Sequence, residues 1–349
     1  VSALNLISLQ QQLATHLQQV GLCSNSDHLH LLSHGESNLI FQLDQTLIRI
    51  AVTTPNQRFS GQSQRVTQFE QVILNYLQGT GIGHQLKTAQ LKATPDFPYT
   101  YLITNYLPGS ALNYSRPHLE RSAKTLAHLH RLPQTPGYEI EQLQPHVPII
   151  ERPLTLFYQE SQDYAQPYLE SAIAEPEIVK MLHAVLDKAK SRFNAEQRLI
   201  NHPHRCLVHS DHTYDNWVIN PQQAYLIDWE WAEIGSPAGD LGHFLSPLTI
   251  RRRQNYRLPP ADRAFFLEHY YRALDNPTLA ATIEQHFAAF GPYPAVRSLC
   301  WTAGYWITAS RWYAEANSPN AANRLEQFQQ SRQQFPELWQ EIMEWLDEA

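Results

Sequence analysis

The stretch from Cys206 to Asp228 constrains this 349-residue chain more than any other. It reads as an apolar run, Cys206 to Val208, then a polar loop, His209 to Asn216, then a hairpin that closes on an acid, Asp228. Asp and Asn favour turns for their local hydrogen bonds, so any one of these residues alone says little. Together they present two carboxylates and an amide at strand ends. Phosphoryl transfer needs such groups: oxygen ligands for metal ions that bridge phosphates, and an acceptor that orients the attacking hydroxyl and takes its proton. Asp211 suits the last task, Asn216 can turn its side-chain oxygen to a metal, and Asp228 can bind magnesium between phosphates. The three are expected to converge.

The surroundings of that stretch read as a small sheet followed by helices. Leu6, Leu9, Leu13, Leu17 and Val20 stand at helical spacing before Gly21, which predicts an opening helix with a glycine cap. Runs at Leu29 and Leu31, at Leu39 to Leu43 and at Leu47 to Ala51 predict a three-stranded meander. A helix through Phe69, Ile73 and Leu77 follows, then strands near Leu86 to Leu91 and Tyr99 to Asn105, stopping at Leu107-Pro108-Gly109. Beyond a helix near Leu119 to Leu129, prolines from Pro133 to Pro153 punctuate an irregular crossing. Two short strands flank the polar loop, and the remainder reads as helical, with breaks at Pro259-Pro260, Gly291-Pro292 and Pro336.

The pattern His209-x-Asp211-x-x-x-x-Asn216, followed by Ile227-Asp228-Trp229-Glu230, resembles the catalytic and metal-binding loops of the aminoglycoside phosphotransferase and choline kinase families, relatives of the protein kinases. Gly235 to Leu241 stands where those families carry Gly-Asp-Pro and an Asp-Leu pair. The resemblance implies that Asp240 braces the catalytic loop and that His209 packs it. Leu32 to Asn38 looks like the nucleotide-covering hairpin, with Ser33, Gly35, Ser37 and Asn38 as nucleotide contacts. Arg49 matches the basic residue on the α- and β-phosphates and Glu70 its ion-pair partner. Thr104, Asn105 and Tyr106 resemble the hinge whose backbone hydrogen-bonds adenine. The implied fold is α+β, bilobal and protein-kinase-like, with a nucleotide-binding lobe at 1–104 of small antiparallel sheet and a mostly helical catalytic and substrate-binding lobe at 105–349. The implied activity is that of an ATP- and Mg2+-dependent small-molecule kinase with an alcohol acceptor, such as an amino alcohol or amino sugar. A nucleotide-binding pseudokinase with a regulatory or scaffold role is the alternative. The chain departs from the family pattern at Ser210, usually Gly, at His212, usually apolar, and at Tyr214-Asp215. These departures leave the acceptor side unlike the family average.

Other features bound the choice. A formal net charge of -7 argues against a nucleic-acid partner, and the short basic run Arg251 to Arg253 reads as a solvated loop. No apolar stretch is long enough for a membrane span and the first residues lack a secretion pattern, so a cytoplasmic protein is expected. Cys23, Cys206 and Cys300 are odd in number and far apart, which suits idle thiols in a reducing compartment. His202, His204, Cys206, His209 and His212 offer a rival zinc reading, weakened because their spacing fits no common zinc motif. His28, His30 and His34 are weaker still, since alternation puts the first two on one exposed face. Trp229 and Trp231, and later Trp301, Tyr305, Trp306, Trp312 and Tyr313, read first as packing. The functional alternative is a cation site in which Trp301 or Trp306 works with Glu230 or Glu233.

Overall fold

The computed structural model describes residues 6–34, 38–54, 56–254, 256–315 and 319–348. The chain divides into two compact units, one of Val1–Ser110, Glu141–Val147 and Val218–Trp231, the other of Ala111–Ile140, Pro148–Trp217 and Ala232–Ala349.

In the first unit, α1 (Leu6–Gln19) precedes β1 (His30–His34), β2 (Asn38–Leu43) and β3 (Thr46–Ala51). Next come α2 (Ser63–Tyr76), β4 (Leu86–Gln90) and β5 (Tyr101–Asn105). The strands form one antiparallel five-stranded sheet in the order β1-β2-β3-β5-β4. Leu9, Leu13 and Leu17 of α1 share a core with Phe41, Ile48, Ile50 and Tyr101, and Gly21, at φ 72°, ends the helix as its position predicts. Side chains alternate along a strand, so Arg49, between Ile48 and Ile50, emerges on the opposite face, where α2 lies. The meander and the two later strands thus follow the sequence reading.

The hairpin of β7 (Trp217–Ile219) and β8 (Ala224–Leu226) is pinned to this unit by backbone at two glycines. Gly83 bridges Leu226, with Leu226 N–H donating to Ile82 O at 2.8 Å; Ser110 bridges Ile219, the two exchanging bonds of 2.8 and 2.9 Å beside Gly109. A Cβ at Gly83 would stand 2.7 Å from Leu226 O, and one at Gly109 2.8 Å from Ile219 O. Neither neighbour can yield, because both are backbone.

The second unit is mainly helical: α3 (Arg116–Arg131), α4 (Pro153–Leu169), α5 (Pro176–Ser191), α6 (Glu196–Asn201), then β6 (Cys206–Val208) and β9 (Glu233–Gly235), α7 (Pro237–Phe244), α8 (Pro247–Gln254), α9 (Pro260–Ala273), α10 (Pro277–Phe290), α11 (Tyr293–Glu315) and α12 (Pro319–Glu348). Many of the prolines open helices, since a residue at the first helical position has no intrahelical bond to lose. Pro336 departs from expectation. It lies inside α12 instead of breaking it, and the buried Phe335, Leu338, Ile342 and Leu346 offset the missing hydrogen bond. The basic run is also not a solvated loop: Arg251 lies on α8, buried, and pairs with Glu337 at 2.9 Å and with Glu341. Strand β9 was not foreseen; its three residues pair antiparallel with β6, Val208 facing Glu233. No helix among the described residues is long and apolar enough to cross a membrane.

Gly109→Ala is expected to cost about 1–3 kcal/mol, the usual range for forcing atoms into a packed site. The midpoint of urea unfolding measures it. An unchanged midpoint would show that the β7–β8 hairpin can shift freely.

Candidate active site

In the sheet unit, Arg49 reaches two acids. Its Nε lies 3.1 Å from Glu70 Oε2, at an angle too poor for a hydrogen bond, and its Nη2 donates to Asp228 Oδ1 at 2.6 Å. Trp229 N–H donates to Glu70 Oε1 at 3.3 Å, so the residue after Asp228 is tied to the same carboxylate. Asp228 itself sits at φ 68°, a left-handed conformation that a non-glycine residue adopts at a cost. The clamp is largely buried, with Asp228 the most open member at 34% side-chain exposure. Burial pushes the Glu70 carboxyl up against the opposing pull of Arg49, and Asp228 adds to the upward push. Arg49 stays charged, because its two acids outweigh the effect of its burial.

The residues expected to contact nucleotide lie in the same unit. Ser33 is exposed on β1, and Asn38 opens β2 with a buried side chain whose Oδ1 accepts no bond. Gly35 and Ser37 lie outside the described residues. Thr104 is buried, its hydroxyl donating to Asn105 O at 3.3 Å. The Asn105 and Tyr106 amides donate to Gln85 O and Gln45 O, at 3.2 and 3.0 Å, so the sheet already uses both N–H groups that a hinge could offer adenine there. Beside them His84 Nδ1 donates to Asn105 O at 3.0 Å, since a carbonyl only accepts. Burial pushes His84 down to about 4.

In the helical unit, a buried carboxylate organises the polar loop. Asp240, fully buried on α7, accepts the His209 amide at 2.9 Å, the Ser210 amide at 2.8 Å and His130 Nε2 at 3.1 Å, while His212 Nε2 stands 3.0 Å from its other oxygen in poorer alignment. Burial alone would push this carboxyl up; His212 and His130 hold it well below the ordinary range. The chain turns at Ser210, φ 65°, and Asp211 follows. Asn216 Nδ2 donates to Asp211 O at 2.9 Å and to Asp211 Oδ2 at 3.0 Å. With its nitrogen so engaged, the amide oxygen of Asn216 is turned away from Asp211. His209 is fully buried, its ring 5.2 Å from that of His212.

Sequence reasoning missed His130 and His243. His130 Nδ1 meets Tyr270 OH at 2.8 Å on the far side of its bond to Asp240, and His243 Nδ1 accepts the His212 amide at 3.0 Å. A histidine three residues after Asp240, hence on the same helix face, was the available signal for the second. Among the described residues, no three His, Cys, Asp or Glu side chains gather as a metal cluster. Of the acceptor candidates, Trp306 is a packing residue: its ring meets Tyr168 and Phe335, and its Nε1 donates to Ser331 at 2.9 Å. Trp301 is half-buried and stacks on Tyr305 at 4.6 Å. Glu233 is buried, with Ser210 Oγ 3.4 Å away, and Glu230 is buried in the sheet unit, its carbonyl accepting from Asn56 at 3.1 Å. The side chains of Trp312 and Tyr313 lie outside the described ones.

The sequence profile of the phosphotransferase enzyme family matches residues 28–284. The chain belongs to this family. No curated protein matches the sequence. Solved structures with a similar fold include an ethanolamine kinase from Plasmodium vivax, with a TM-score of 0.60 and 14% identity over 95% of this chain and 89% of that one. They also include choline kinase LicA from Streptococcus pneumoniae, at 0.55 and 13% over 95% and 99%. A GDP complex of aminoglycoside 2'-phosphotransferase-IIIa matches at 0.55 and 15% over 94% and 99%. As a member of this family, with a small antiparallel sheet and a helical part, the chain has the α+β architecture of these kinases.

Removing Asp240 leaves two loop amides and two histidines without their shared acceptor. Asp240→Ala is therefore expected to cost about 3–5 kcal/mol in urea unfolding, the range for breaking a buried charged pair. Acid acts on the same unit: burial pushes His286 down to about 4 from the ordinary 6.5. Its contribution is complete above pH 6.5 and is lost as pH falls through 4, because the unfolded chain takes up the proton first. His84 behaves likewise. The urea midpoint should hold steady from pH 8 to 7 and drop from pH 6.5 to 4, and His286→Gln should make that drop shallower.

Proposed function

We propose that the protein transfers the γ-phosphate of ATP, with magnesium, to a hydroxyl group of a small molecule. The observation that carries this reading is the Asp211–Asn216 pair, held on a loop whose backbone is fixed by Asp240, in a member of a phosphotransferase family. Asp211 orients the acceptor hydroxyl and takes its proton as the oxygen attacks phosphorus. Preorganisation matters here because positioning and electrostatics supply most of the catalysis in phosphoryl transfer.

The donor set fits magnesium. Asp228 and the amide oxygen of Asn216 are hard oxygen ligands, and magnesium is commonly held by few protein groups, with phosphates and water completing its shell. When bound, the metal would neutralise charge on the phosphates. Arg49, kept charged by Glu70 and Asp228, would meet the nucleotide phosphates, with Ser33, Gly35, Ser37 and Asn38 covering them and the segment Thr104, Asn105, Tyr106 along the base. The two engaged amides favour recognition through the carbonyl side of that segment or through Leu107 N–H. One structural relative was captured with GDP, so the choice between ATP and GTP belongs in the assay.

For the acceptor, a hydroxyl compound carrying an amine would suit the buried carboxylate of Glu233 and the half-buried face of Trp301, both in the helical unit. The test is a turnover screen with magnesium and ATP or GTP over amino alcohols, sugars and aminoglycosides, read as nucleoside diphosphate release. Asp211→Ala should lower turnover by about 10²–10⁴-fold, the usual contribution of a general base. If no acceptor exceeds the Asp211→Ala background while ATP still binds, the chain is a nucleotide-binding regulator instead. Full turnover in Asp211→Ala would remove Asp211 as the base.

A further inference from the structure

His243 has no part in the reaction as proposed above, yet it faces the group on which that reaction turns. It lies on α7, three residues after Asp240. Its Nδ1 accepts the backbone N–H of His212 at 3.0 Å. An amide only donates, so Nδ1 carries the lone pair and the proton of the neutral ring stands on Nε2. Nε2 lies 4.0 Å from Asp211 Oδ1. The other carboxylate oxygen, Oδ2, receives the Asn216 amide at 3.0 Å.

The groups facing His243 are His209 and His212 from the loop, Asp240 from its own helix and Arg297 from α11. Burial, reinforced by His212 and Arg297, pushes the imidazole well below its ordinary range, so the ring is neutral near pH 7. A neutral donor is what a base requires. An imidazolium beside Asp211 would form an ion pair and weaken its hold on a proton, whereas a neutral N–H orients the carboxylate and leaves its charge in place.

We propose that His243 is a positioning residue for Asp211: its Nε2–H closes from 4.0 Å onto Oδ1 when an acceptor hydroxyl binds, fixing the carboxylate between two N–H donors on opposite oxygens. Hydrogen bonds around a catalytic base are commonly long before substrate arrives and tighten with it. The proposal rests on Asp211 being the base. It also gives a use to His212, where the family pattern is apolar: the His212 ring stands by Asp240 and its amide sets the proton of His243.

Two substitutions separate positioning from mere packing. His243→Asn keeps an acceptor near the Nδ1 position for the His212 amide and loses the distal donor; His243→Gln keeps a donor near the Nε2 position. Each is assayed as ADP release from magnesium-ATP, with the acceptor found by the screen or with water alone. His243→Asn should lower kcat about 10–100-fold, as expected for a loosened reacting group, with the KM for ATP and the Tm close to those of the unmodified protein. His243→Gln should restore kcat to within a few-fold. Nitrogen-15 spectra of the histidine rings should place the His243 proton on Nε2. The proposal is overturned by an unchanged kcat in His243→Asn, by equal losses in both variants, or by a proton on Nδ1. Full turnover in Asp211→Ala would instead sink the reading of the base. The expected loss in Asp211→Ala together with an unaffected His243→Asn would sink His243 alone.

Discussion

The buried carboxylate of Asp240 is the constraint on which the helical unit's polar loop depends. Taking an ionised carboxylate out of water costs several kcal/mol unless its oxygens are met by donors. Here two backbone amides and a histidine ring meet them, with a second ring close by. The amides belong to His209 and Ser210, so satisfying Asp240 fixes the loop backbone just before Asp211, and the left-handed turn at Ser210 is held by the same bonds. A buried charge thus fixes the backbone that leads into Asp211.

The sheet unit handles charge in a different way. Arg49 lies between Glu70 and Asp228, two acids that would repel each other in its absence. Glu70 is the more buried acid and Asp228 the more open one. That ordering leaves Glu70 anchoring the guanidinium and the backbone of Trp229, and leaves Asp228 the more open to solvent. The strained φ of Asp228 follows from the same geometry, because the chain must leave β8 and present both the Asp228 side chain and the Trp229 amide to α2 and β3.

Much of this was legible in the sequence, for reasons that differ by element. Period-2 and period-3.6 patterns located α1, the meander and α2, since each buries one face. The spacing of Asp211, Asn216 and Asp228 was legible because it is short-range and tied to a hairpin. Strand β9 escaped because three residues ending in glycine carry no periodicity, and its partner β6 lies far off in sequence. Pro336 misled because a local rule was outweighed by tertiary burial. Arg251 misled in the same way: three adjacent basic residues look solvated, yet acids on α12 that no local window contains draw the first of them inward. Trp306 could not be told from a ligand face until its three partners were known.

The histidines show the limit of reading residues by type. Several of them stand close together in sequence near Cys206, which invites a metal, and in the fold their ring nitrogens point elsewhere. His204 bonds the carbonyl of His130, His130 bonds Asp240, and the backbone of His212 addresses His243. A carbonyl only accepts and an amide only donates, so the proton of the His204 ring stands on the nitrogen facing His130 O and the lone pair of His243 on the nitrogen facing the His212 amide. A zinc site needs several lone pairs aimed at one point. This network instead aims N–H groups at the carboxylate of Asp240. That direction of donation is what a buried carboxylate requires, and meeting it fixes the loop backbone just ahead of Asp211.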